Sequence, residues 1–129
     1  MAKVLLYNFN HEGRRKKVKS VLFQYGVPSR EVPPEEQHRT LGALLGLETS
    51  EPEDAAESVS FDEEMIVMHD LTPRQFHGFL DGIRRLGIAV PLKAVVTGHN
   101  IGWTSRRLRD ELRAEHEAMN RGAKGIHEP

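Results

Sequence analysis

The sequence predicts an α/β domain, a small three-layer sandwich. A four-stranded parallel sheet in the order 2-1-3-4 carries helices on both faces. Three observations predict it. Short continuous apolar runs recur along the chain (KVLLYNF, EMIVMH, LKAVVT), the pattern of strands buried on both faces. Amphipathic stretches with apolar residues at i, i+3, i+4 and i+7 separate them. Gly, Pro and capping residues mark the changeovers. Strands alternating with helices imply parallel neighbours joined by right-handed crossovers. No internal repeat is supported by spacing.

The first strand is Lys3 to Phe9, and Asn10 can cap the helix after it. That helix carries Val18, Val21, Leu22 and Tyr25 on one face and ends at Gly26. A weak strand, SREV, follows at Ser29 to Val32. Pro33-Pro34 starts a second helix, which carries Leu41, Leu44 and Leu45 and stops near Gly46. From Leu47 to Asp62 the chain is acidic and poor in large apolar residues, with no Lys or Arg between Arg39 and Arg74. This stretch, 47–62, reads as a solvated loop. The third strand is Glu64 to His69. Thr72, Pro73 and Gln75 then form a capping box with Pro in the first turn. Phe76, Phe79, Leu80 and Ile83 line that helix's inner face, and Gly87 ends it. Leu92 to Thr97 is the last strand. The last helix starts near Thr104 or Ser105, with Leu108, Leu112 and Met119 on one stripe. Residues 1–120 read as a single domain and 121–129 as a flexible tail.

At 129 residues the chain is long enough for its own core. The formal net charge of −1 gives no global bias toward nucleic acid or an anionic membrane. The absence of Cys removes disulfides, thiolate metal sites and Cys nucleophiles. The apolar run near the start is too short for a signal sequence, and no run can span a bilayer. A soluble, cytoplasmic protein with no membrane partner is expected.

In open parallel sheets, ligands sit beyond the carboxyl ends of the strands, where the order reverses. The residues there are Asn8 and Asn10, His69 and Asp70, and Thr97, His99, Asn100, Trp103 and Thr104. The candidate ligand-binding set is Asn8, Asn10, His69, Asp70, Thr97, His99, Asn100 and Trp103, polar groups around one large aromatic. Caps and turns are the competing explanation for Asn10, Thr72, Thr104, Ser105 and Asn100. His69, Asp70 and His99 form the one arrangement that suggests an enzyme. No metal spacing, Gly-rich phosphate loop or nucleophile elbow is present, so no metal or cofactor is expected and the enzyme reading stands second. Asp70 with Thr97 resembles the phosphoacceptor arrangement of receiver domains, giving a receiver- or flavodoxin-like half. Asn8 and Asn10 stand where Mg²⁺-binding acids are needed, and a fifth strand with its Lys is missing, so phosphotransfer is rejected. Arg14, Arg15, Lys16, Lys17 and Lys19 form a basic run that can contact phosphates. It lacks interleaved aromatics, so nucleic acid is not the expected partner.

VLLYNF, FDEEMIVM, FLDGIRRLGI and above all PLKAVVTGHNIGWTSRRLRDELRAEH resemble a small bacterial family, domain of unknown function 3783. The resemblance covers Phe61 to His116 well and the first strand loosely. Its distinctive part is Thr97, Asn100 and Trp103 with the later Glu115 and His116. It carries over no catalytic residue. It implies that these five act as a unit; on physical grounds, Trp103 is expected to fold over the sheet end near His116 or Leu108, with Asn100 holding the turn. The expected protein is a non-enzymatic module that binds a partner protein or small ligand at the strand ends. Homodimerisation through an edge strand, Ser29–Val32 or Leu92–Thr97, is a further option.

Overall fold

The computed structural model describes residues 1–47 and 60–127, with side chains described as far as Met119. The expected acidic loop lies outside the described residues from 48 to 59. The elements are β1 (Lys3–Tyr7), α1 (Glu12–Gln24), β2 (Ser29–Val32), a 3₁₀ turn (Pro34–Glu36), α2 (Leu41–Leu44), β3 (Met65–His69), α3 (Pro73–Arg85), β4 (Leu92–Val95) and α4 (Ser105–His127). The segment expected as a tail is helical up to His127, and its last two residues are outside the described ones.

The strand order is β2-β1-β3-β4, as the sequence predicts. The sheet, however, is mixed rather than parallel. β1 is parallel to β2, and β3 to β4, but β1 and β3 run antiparallel, with Lys3 opposite His69 and Tyr7 opposite Met65. The reason lies in the connection from β2 to β3. Pro33 to Gly46 reads in sequence as one crossover helix that would return the chain to the starting end of the sheet. Instead it forms a 3₁₀ turn and a four-residue helix, and the chain comes back to the end it left.

A buried polar clasp fixes that return. Asn8, just past β1, donates from Nδ2 to the carbonyls of Phe61 and Glu63, each at 2.8 Å. Gln37 donates to Asn8 Oδ1 at 3.0 Å and accepts from the Phe61 N–H at 3.0 Å. A chain held there enters β3 beside the exit of β1 and must run against it.

Alternating side chains divide the core between two faces. Val4, Leu6, Ile66 and Met68 pack with Val18, Val21 and Leu22 of α1 and Phe79 and Ile83 of α3. Leu5, Tyr7, Met65 and Val67 pack with Leu41 and Leu44 of α2 and Leu108 of α4. The expected three layers are therefore present. α3 begins with the capping box of Thr72 and Gln75 that its sequence announces. α1 is capped by His11, whose Nδ1 accepts from the Arg14 N–H at 3.2 Å, and not by Asn10.

The two halves, β1-α1-β2 and β3-α3-β4, repeat the same element order with matching element lengths and meet at the antiparallel β1/β3 pair. α1 and α3 both have 13 residues. Counted from the helix starts, Gly26 (φ 67°) and Gly87 (φ 76°) hold the same place and end them in the same way. Asn8 (φ 62°) and Asp70 (φ 56°) are left-handed just past β1 and β3. The two helix sequences share almost no residues, which is why spacing alone shows no repeat.

Candidate functional site

The antiparallel β1/β3 pair divides the expected crevice. Asn8 and Asn10 lie at one end of the sheet. His69, Asp70, Thr97, His99, Asn100 and Trp103 follow the ends of β3 and β4 at the other. Asn8 is engaged in the clasp. Asn10 lines a cleft of about 420 Å³ at the ends of β1 and β2, with Arg15 and Glu31.

At the other end, most of the polar groups are used within the chain. The Thr97 N–H donates to Asn100 Oδ1 at 2.8 Å, and Thr97 Oγ1 accepts from the N–H groups of His99 and Asn100. Asn100 Nδ2 donates to the Val95 carbonyl at 3.1 Å. Asn100 thus holds the turn, as its turn chemistry in the sequence suggests. Trp103 packs on the cluster containing Leu108, meets the His99 ring edge-on at 5.3 Å, and lies under the Arg107 guanidinium at 4.3 Å. The Leu41 N–H donates to the Trp103 carbonyl and the Ser105 N–H to the Arg39 carbonyl, stitching this corner to α2. Asn100→Ala is expected to cost about 1–3 kcal/mol in urea unfolding, because it orphans the Thr97 N–H and removes one bond to the Val95 carbonyl. A loss within about 0.5 kcal/mol would mean that the turn holds itself without this side chain.

Asp70 takes the Met1 amine at 2.5 Å, and that hydrogen bond holds its carboxyl below the usual range. No group of three or more metal-ligating residues converges among the described residues. Ser105 bonds the buried Tyr7 hydroxyl at 2.8 Å, and burial pushes that hydroxyl far above its ordinary pKa. Arg109 grips Glu63 through Nε and Nη2, and that bond draws the Glu63 carboxyl down. These contacts fasten α4 and β3 in place.

The basic run on α1 is largely paired. Arg14 forks onto Glu64 at 2.6 and 2.9 Å and reaches the Ala89 carbonyl. Arg15 and Lys19 meet Glu31, and Lys16 meets Glu12. Lys17 has no such partner among the described residues.

One surface was not signalled by the sequence. An open groove of about 570 Å³ runs beside β4, with Leu80, Ile88 and Pro91 in its lining and His77, Lys93 and His116 at its rim. His116 is exposed there, not packed on a buried stripe, because α4 leaves the body of the domain after Leu112. A second groove, of about 480 Å³, lies beside β2. Its lining residues Lys16, Lys19 and Phe23 hold the positions on α1 that His77, Leu80 and Arg84 hold on α3. Each half of the molecule therefore has its own groove between helix and edge strand. The signal in sequence was slight: Pro91 and Lys93 interrupting an otherwise apolar strand.

Residues 64–119 match the family described as a domain of unknown function, DUF3783. No curated protein and no solved structure matches the chain. No helix among the described residues is long and apolar enough to cross a membrane.

Proposed function

Residues 64–119 belong to this family of unknown function, and from that premise we propose that the protein is a non-enzymatic docking module that takes a partner protein in the groove beside β4. The supporting observation is one of placement. The groove's lining, from His77 to His116, lies wholly within the family segment. It has an apolar floor, a charged rim and an edge strand along one side, the ingredients of β-strand addition or helix docking. Val95, on that strand, is 45% exposed. The polar groups at the strand ends favour a structural role, since Asn8, Thr97 and Asn100 are held inside the chain.

A photo-crosslinking residue placed at Val95 is expected to give a discrete protein adduct in cells. The same residue at Phe23, on the counterpart groove and 86% exposed, is expected to give none. Adducts at Phe23 alone would move docking to the other edge, and none at either position would remove the reading.

A further inference from the structure

We infer that the occupant of this edge is a second copy of the chain, joined by antiparallel pairing of β4 with β4 in a register centred on Ala94. The inference rests on the docking reading above and names its partner.

β4 is an edge strand with free bonding capacity. The Val96 N–H donates to the Met68 carbonyl at 2.9 Å, toward β3. Alternation along the strand then turns the backbone of Leu92 and Ala94 inward and that of Lys93 and Val95 outward. The two edges of this sheet differ sharply. On β2, Glu31 is bridged by Lys19 at 3.0 Å and Arg15 at 3.6 Å, so the edge is covered by charge. On β4, Lys93 is the only charge, and its Nζ turns back to the Val90 carbonyl at 2.5 Å. The neighbouring outward residue is the half-exposed Val95.

The strand's own sequence selects the register. A two-fold axis perpendicular to the sheet keeps each helix layer on its own side, so facing residues must share a face. Pairing is then centred on Lys93, Ala94 or Val95, and centring on Val95 sets Lys93 against Thr97, whose N–H already donates to Asn100 Oδ1. Centring on Lys93 sets two like charges opposite each other. It also sets Val95 against Pro91, which has no N–H to give. Centring on Ala94 sets Lys93 against the second copy's Val95, and the two exchange N–H···O bonds in both directions. The Val95 carbonyl already accepts from Asn100 Nδ2, and its second lone pair is available. Leu92 then faces the second copy's Val96, apolar against apolar.

α4 supports the same geometry. It packs by Leu108 and Leu112 on the face that carries Ala94 and Val96. The same stripe runs on to Met119, which is 73% exposed. From Arg113 to Met119 the helix is exposed, and a helix segment without a packed face is marginal in water by itself. The two-fold brings both α4 helices to one side of the joined sheet.

Sedimentation velocity on the full chain at about 50 µM, a concentration within reach of micromolar interfaces, is expected to give twice the chain mass of 14.6 kDa. Val95→Lys, which sets charge against the second copy's Lys93, is expected to halve that mass. Phe23→Lys on the other edge is expected to leave it unchanged. Ala94→Cys supplies the register test, because the chain has no Cys of its own. Residues opposed in this non-hydrogen-bonded pair have Cα atoms about 4.5 Å apart, within disulfide reach. Mild oxidation should convert Ala94→Cys, but not Lys93→Cys, to a covalent dimer. A monomeric wild type overturns the inference, as does a dimer indifferent to Val95→Lys. A monomer that still crosslinks another protein at Val95 overturns this inference and leaves the docking reading standing.

Discussion

Replacing Asn8 with alanine is expected to lower stability by at least about 3 kcal/mol, since each orphaned buried partner costs about 1–3 kcal/mol. Three hydrogen bonds go with the side chain: those to the Phe61 and Glu63 carbonyls and the one from Gln37. Gln37 is almost wholly buried. Alanine at φ 62° adds about 1–2 kcal/mol of left-handed strain. Urea unfolding followed by far-UV circular dichroism measures the effect. A loss under about 1 kcal/mol would mean that the clasp does not hold the β2-to-β3 return. Asn8 would then be free to act as the ligand residue its strand-end position suggests.

Gly82→Ala is expected to destabilise despite alanine's better helix propensity. A Cβ at Gly82 would stand 2.7 Å from Val21 Cγ1 and 3.4 Å from Cγ2. Val21 is buried and β-branched, so it has no long side chain to swing aside. Overpacking of this kind costs about 1–3 kcal/mol, against a propensity gain of about 1 kcal/mol. The net expectation is a lower Tm. Gly98→Ala, where a Cβ meets open space, should change Tm little. A raised Tm for Gly82→Ala would mean that α1 and α3 sit farther apart than described.

What could be read from the sequence was local. The cap at Thr72, Pro73 and Gln75 lies within one turn, and α3 forms as written. Strand order followed from crossover rules, because both βαβ halves obey them. The direction of β3 was not legible. It depends on Asn8, Gln37 and Phe61 meeting across the chain, and in sequence Asn8 reads as a strand-end ligand candidate and Gln37 as a helix residue. Sites placed at strand ends inherited that error, so residues expected in one crevice lie at opposite ends of the sheet. The groove was hidden for a different reason. Apolar periodicity reports the faces that point inward, whereas this surface combines the flank of α3, the turn at Pro91 and His116 from α4. The Trp103 corner was legible as a corner, since its Thr, Asn and Gly are ordinary turn chemistry.

Backbone amide hydrogen exchange in β4 over a dilution series tests the central claim most directly. The amides of Ala94 and Val96, bonded toward β3, should be protected at every concentration. Those of Lys93 and Val95 should be protected when the protein is concentrated and exchange freely on dilution. If Lys93 and Val95 exchange freely at all concentrations, the β4 edge is not occupied by a second copy, and the account is contradicted.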